Sequence, residues 1–210
     1  MEQEFSSTLL NNAVSALSRL PGVGQRTALR LAFHLLRRPE NVAVEIGQAL
    51  IDFRKNIRYC SVCHNISETD ICPICASPSR RRSAVCVVEN VRDVMRFEAT
   101  GQFDGVYHVL GGLISPIDGV GPDMLEIDSL VGRVRSGEVE EVILALSATM
   151  EGDTTNYYIF RRLSEPGVAL KNVKITQLAR GVAVGNDLEF TDEVTLGRSL
   201  LNRTPFENSL

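Results

Sequence analysis

Cys60-Ser61-Val62-Cys63 and Cys72-Pro73-Ile74-Cys75 are two CxxC pairs separated by an eight-residue spacer. Each pair can present two sulfurs to one metal, and the spacer is long enough for a hairpin that brings the pairs together. Cys60, Cys63, Cys72 and Cys75 therefore read as a tetrahedral thiolate cage for zinc. Four sulfurs close the coordination sphere, so this zinc is expected to be structural. Iron uses similar ligands, and spacing alone does not separate it from zinc; disulfides need an oxidising compartment and a redox CxxC a thioredoxin-like context. Residues 57–79 offer few apolar side chains (Ile57, Tyr59, Val62, Ile66, Ile71, Ile74) against an ordering cost of roughly 1–2 kcal/mol per residue. A structural zinc, at about 10–16 kcal/mol apparent binding energy in small peptides, makes up that difference. His64 reads as a solvated hairpin residue, and Cys86, inside Ala84-Val85-Cys86-Val87-Val88, as a buried strand residue.

A second constellation lies upstream. Apolar residues at Leu9, Leu10, Ala13, Val14, Leu17 and Leu20 form a helical stripe that stops at Pro21-Gly22-Val23-Gly24, and a second stripe follows at Ala28, Leu31, Ala32, Leu35 and Leu36. Two short helices joined in this way make a helix-hairpin-helix. Gly22 and Gly24 let the backbone approach a phosphate, and the N–H groups opening the second helix point at it. Arg26 and Arg30, four apart, project from one face beside the turn. The same PGVG would also serve as a plain turn between core helices, with the arginines merely solvated. The flanking helices, the paired arginines and the local positive charge together favour DNA-phosphate binding. No base-reading element is visible, so binding is expected to be sequence-independent and salt-sensitive. A third stripe, Val42, Ile46, Ala49, Leu50 and Phe53, would complete a helical layer.

Beyond Arg80-Arg81-Arg82 the pattern alternates between strand and helix, which predicts a parallel sheet covered by helices. Strands are expected at 84–88, 106–110, 139–146 and 173–177, helices at 91–99 and 154–163, and a Gly/Pro-rich loop at 111–122. Gly119-Val120-Gly121 lacks the GK[ST] of a phosphate-binding loop. Glu89 follows the first of these strands, and Glu151 and Asp153 follow the third. Ligands of open α/β sheets gather at the carboxyl ends of strands, so the three carboxylates could converge there and hold Mg²⁺. Acidic residues at a helix start also cap N–H groups and offset the dipole, a purely structural use.

The 210 residues, 44% hydrophobic, suffice for a substantial core. Residues 1–83 carry 11 basic and 7 acidic side chains, residues 84–210 carry 11 and 19, and the net charge of −4 thus divides into a basic front and an acidic back. Different partners for the two halves are expected. No apolar run approaches the ~18 residues of a membrane span. Met1-Glu2-Gln3-Glu4-Phe5 has no basic or apolar export signal, so a cytoplasmic protein is expected.

In order, the helix-hairpin-helix, the four-cysteine hairpin, Val87-Val88-Glu89, Tyr107-His108-Val109-Leu110-Gly111-Gly112, Ser115-Pro116, Glu151-Gly152, Ala179-Arg180-Gly181 and Asp192 with Thr195-Leu196 resemble the RecR family of bacterial recombination mediators over essentially the whole chain. The resemblance implies a Toprim fold for the sheet domain and a ring-like homotetramer assembled through both ends of the chain. It also implies a role with RecO and RecF in loading RecA onto gapped or damaged DNA. Arg26 and Arg30 match the family's basic hairpin positions, and the acidic cluster is associated there with partner contact rather than strand cleavage. The expected organisation is α/β: a helix-hairpin-helix region (1–56), a zinc hairpin (57–79), a Toprim-like domain (80–176) and a C-terminal oligomerisation segment (177–210). A non-enzymatic DNA-repair mediator is the expected function. The rival is a Mg²⁺-dependent Toprim enzyme, a primase, topoisomerase or nuclease, working through Glu89, Glu151 and Asp153.

Overall fold

The computed structural model describes residues 7–168, 173–185, 187–203 and 205. The chain divides into two compact units, Met1–Ile57 and Arg58–Leu210.

The first unit is helical. Helix α1 (Thr8–Ser18) starts where the Ser7 hydroxyl accepts the Leu10 N–H, which satisfies one of the free N–H groups of its first turn. Helix α2 (Gln25–Leu36) follows the glycine turn. Val14, Ala28 and Ala32 form the centre of this unit, with Leu10, Leu17, Val23 and Leu29 packed around them. Helix α3 (Glu40–Asn56) buries none of its residues; Ile46, Leu50 and Phe53 of the expected stripe are exposed, as are Val44 and Ile51. The stripe forms a helix, yet among the described residues no apolar surface buries it.

The second unit opens with a two-stranded antiparallel hairpin, β1 (Arg58–Tyr59) and β2 (Ile66–Ser67), followed by the single-turn helix α4 (Pro73–Ala76). The sheet comes next: β3 (Arg81–Val88), β4 (Gly105–Val109), β5 (Glu141–Leu144) and β6 (Lys174–Gln177), all parallel, in the order β4-β3-β5-β6. Alternation along β3 sorts the core onto two faces. Val85 and Val87 join Leu130, Val134, Val142, Ile159 and Leu163 on one side, and Cys86 and Val88 join Val94, Tyr107 and Val109 on the other. Cys86 is 3% exposed, as a strand residue should be. Helix α5 (Val91–Thr100) begins with a reciprocal cap between Asn90 and Asp93 and ends at Gly101 in a left-handed conformation.

The expected α/β class and parallel sheet hold, but two elements differ from the sequence reading. Helix α6 (Ile127–Arg135) lies where no helix was expected, although Ile127, Leu130, Val131 and Val134 follow helical spacing and are all buried. Its neighbours Pro122 and Gly137 dominate the local pattern. Helix α7 (Met150–Leu163) begins four residues before the expected start, because the Thr149 hydroxyl caps the Gly152 N–H at 3.2 Å. Glu151 and Asp153 therefore belong to the first turn of α7 instead of preceding the helix. The last helix of the described residues is α8 (Glu193–Leu201), capped by Asp192, whose carboxylate accepts the Thr195 N–H at 2.9 Å.

Gly152 makes the early start of α7 possible, since a Cβ there would overlap the Ser147 carbonyl oxygen. Gly132 in α6 faces open space. Gly152→Ala should cost about 1–3 kcal/mol in urea denaturation, whereas Gly132→Ala should be neutral or gain up to about 1 kcal/mol. An unchanged midpoint for Gly152→Ala would mean that the start of α7 yields.

Candidate nucleic-acid interface and metal centre

The glycine turn sits as its sequence predicts. Gly22 takes a positive φ of 78°, a conformation that favours glycine, and Val23 N–H closes the turn onto the Leu20 carbonyl at 3.1 Å. Gly24 is the N-cap of α2 and supplies no side chain to satisfy the first N–H groups. Those donors are left to water or to an incoming acceptor. Arg26 and Arg30 are exposed beside them. Among the described residues neither has an acidic side chain within ion-pair distance, so both cations are free to meet a phosphate.

The three sheet carboxylates are not gathered into one site. Glu89 accepts a hydrogen bond from the Ser147 hydroxyl at 3.1 Å, at the ends of β3 and β5. Asp153 is gripped by the Arg180 guanidinium through both oxygens. That hydrogen-bonded cation holds the Asp153 carboxyl below the usual aspartate value of 3.8. Glu151 is half-buried in the first turn of α7. Among the described residues, the only set of metal-ligating side chains whose donor atoms lie within 4.8 Å of one another is Cys60, Cys63, Cys72 and Cys75. No Mg²⁺ site is formed by the carboxylates as they stand. The position of Arg180 is a tertiary fact, set by a residue 27 positions from its partner.

The four cysteines do converge. They are 0%, 1%, 1% and 7% exposed, and Cys63 Sγ lies 3.5 Å from Cys72 Sγ. A tetrahedral zinc with bonds of about 2.3 Å needs sulfurs roughly 3.8 Å apart, so the donor set fits the metal. Backbone donors already point at the sulfurs: Cys72 N–H reaches Cys60 Sγ at 3.3 Å and Cys75 N–H reaches Cys72 Sγ at 3.5 Å. Burial raises the Cys60 thiol, but N–H groups of Cys72, Cys63 and Val62 outweigh it and leave it lowered to about 7. The remaining crowding opposes further ionisation. Cys63 is pushed up by its hydrogen bond with Cys75 and by burial, and Cys72 is pushed up by burial to about 11. Four buried thiolates need a dication to coexist.

The knuckle is fastened to the sheet at three points. The Cys63 carbonyl accepts the Val109 N–H at 2.8 Å. Ile74, between the second pair of cysteines, packs against the cysteine cluster and against both faces of the sheet core. His64, in a left-handed conformation at φ 60°, sets its ring edge-on to His108 and its Nε2 3.5 Å from Glu126. It is therefore a partly buried contact, not the solvated residue its hairpin position suggests. His108 is fully buried, with Nε2 2.6 Å from the Glu126 carbonyl. No sequence pattern marks the His64 and His108 pairing, which depends on how the cysteine hairpin packs against β4. Exhaustive chelation of the zinc should lower the melting temperature and release the knuckle from β4, seen as faster amide exchange at Val109. Cys86→Ala should keep the same zinc per chain by native mass spectrometry, and unchanged melting after full chelation would show that the metal does not hold this unit together.

Family models match along the chain in the same order as these features. Residues 10–54 match the RecR helix-hairpin-helix, residues 57–77 the RecR four-cysteine zinc finger domain, residues 83–174 the Toprim domain and residues 181–204 the RecR C-terminal model. The chain is 57% identical to the recombination protein RecR of Bacteroides fragilis over 210 residues, all of both chains. It is 57% identical to that of Parabacteroides distasonis over 206 residues, 98% of this chain and 97% of the relative. It is 54% identical to that of Flavobacterium johnsoniae over 206 residues, 98% of each. A four-sulfur centre suited to structural zinc, an arginine-flanked glycine turn and strands β4 and β5 of the parallel sheet fall within these matched segments, and the chain belongs to the RecR family.

Proposed function

We propose that this protein is a non-enzymatic, zinc-containing DNA-binding mediator of recombinational DNA repair, working in the cytoplasm with RecO and RecF to help load RecA onto gapped or damaged DNA. The observation that carries the reading is the glycine turn, where uncapped N–H groups of α2 and the unpaired cations Arg26 and Arg30 face outward together. Such a unit grips phosphate oxygens without reading bases, so it suits any DNA sequence. The acidic second unit supports a partner role. Glu89 and Glu151, with Asp153 offset by its Arg180 partner, add negative charge that repels DNA and attracts a basic protein surface, and this acidic face is the proposed contact for RecO. Bond chemistry at these carboxylates has less support, since they do not close around a metal position and Asp153 is already paired with Arg180.

Apolar surfaces at both ends of the chain support self-assembly, with a homotetramer ring as the proposed form and a dimer as the alternative. In the first unit a groove of about 760 Å³ is lined by Leu9, Leu10, Leu17, Phe33 and Leu36, and α3 leaves Leu50 and Phe53 exposed. Toward the other end Leu188, Phe190, Leu200 and Leu201 are exposed. Exposed apolar area on this scale marks an interaction surface. Several hairpins in one assembly then bind DNA at high effective concentration, where one hairpin alone would be weak. In light scattering the wild type should be an oligomer. Leu50→Glu with Phe53→Glu, and separately Leu200→Glu with Leu201→Glu, should each lower its mass, and a monomeric wild type would rule the assembly out.

The function itself is tested by a salt-series DNA titration in Mg²⁺ with recovery of the DNA on a gel. Arg26→Ala with Arg30→Ala should weaken binding to all sequences alike and lower the salt slope by about 1 for each phosphate no longer engaged. Intact recovered DNA is the expected result. Equal binding by both proteins would remove the hairpin as the DNA site, and cleaved or relaxed DNA would move the activity to the sheet carboxylates.

A further inference from the structure

We propose that Arg133, from the last turn of α6, is the counter-cation of the four-cysteine centre, a positioning residue that balances the charge of the metal-bound sulfurs and ties the centre to β4. Four thiolates around one dication carry a net charge of −2. Burying that charge is costly unless a cation or hydrogen-bond donors offset it. Two backbone N–H groups already reach the sulfurs of Cys60 and Cys72, but they bring no net charge.

Arg133 has the placement the missing charge requires. It is half-buried, and its Nη1 donates to the Tyr107 carbonyl of β4 at 2.8 Å. No carboxylate of the described residues lies within ion-pair distance of it, an unusual state for an arginine turned inward. Instead it lines, together with Cys75, a cavity of about 300 Å³ whose other walls include Val62, Ile71 and Arg82. Glu138 lines the same cavity but is exposed and forms no pair with it. Arg82 stands at the rim, with Nη2 3.5 Å from the Cys75 carbonyl. One arginine thus lines the cavity beside Cys75 while its hydrogen bond anchors the strand whose last residue, Val109, donates to the Cys63 carbonyl.

The test compares zinc release from full-length protein under a fixed excess of chelator, followed with a chromogenic metal indicator, and the sulfur-to-metal charge-transfer band of the cobalt-substituted protein. Arg133→Met should release zinc about 10-fold faster or more, the range for loss of a group supporting metal ligands. Its charge-transfer band should move to lower energy, because the sulfur electrons lose a stabilising cation. Arg133→Lys should stay close to wild type in both readouts, and Arg135→Met, on the exposed side of the same helix, should match wild type. Wild-type release and an unmoved band in Arg133→Met would overturn the proposal. So would release from Arg133→Lys as fast as from Arg133→Met, which would assign the effect to the Tyr107 hydrogen bond. Should Arg133→Met not fold, Arg133→Gln, which keeps a donor and drops only the charge, is read in the same way.

Discussion

Four sulfur atoms held within 4.8 Å of one another repel as soon as they ionise, and little else in residues 57–79 is large enough to hold them. Tyr59, Val62 and Ile71 are exposed, and the hairpin strands are two residues long. The metal is in effect the core of this segment. What the segment adds to the protein then depends on its attachments. Cys63 accepts from Val109, at the end of edge strand β4, and Ile74 reaches both faces of the sheet. Losing the metal would free the hairpin and uncover the end of an edge strand, a surface that proteins ordinarily keep covered.

Charge is managed differently in the two units. In the first, Arg26 and Arg30 stand exposed, and among the described residues no acidic side chain lies within ion-pair distance of either. An unpaired surface cation costs little in water and loses little solvation when it meets a phosphate. In the second, charges are tied down: Arg80 pairs with Glu98, which also accepts from the Tyr107 hydroxyl at 2.7 Å, and Arg180 grips Asp153. The Asp153 pair keeps one carboxylate from acting alone as a ligand.

Much of the site was legible because its signals are local. CxxC spacing, a PGVG turn between two stripes and arginines four apart on a helix are each written within a few residues, and each took its expected form. Signals that needed a partner misled. Glu89, Glu151 and Asp153 share the carboxyl-end rim of the sheet in sequence logic, but Asp153 turned to Arg180, which the chain supplies 27 residues later. His64 looked solvated because its neighbours are polar, while the surface that covers it comes from His108 and Glu126. Helix α6 was hidden between Pro122 and Gly137 although its own spacing is plain.

By itself, then, the sequence determined the donor set of the metal centre, the glycine turn between two helices and the parallel α/β order, because spacing, glycine and hydrophobic period act over one or two turns of chain. Only the tertiary structure decided what balances and fastens these parts. Arg133 and Arg135 are indistinguishable in sequence, and it is the packing of α6 on the sheet that bonds one to the Tyr107 carbonyl at a cavity shared with Cys75 and leaves the other in water. Electrostatic pairing acts through space, and the chain distance between partners carries no trace of it.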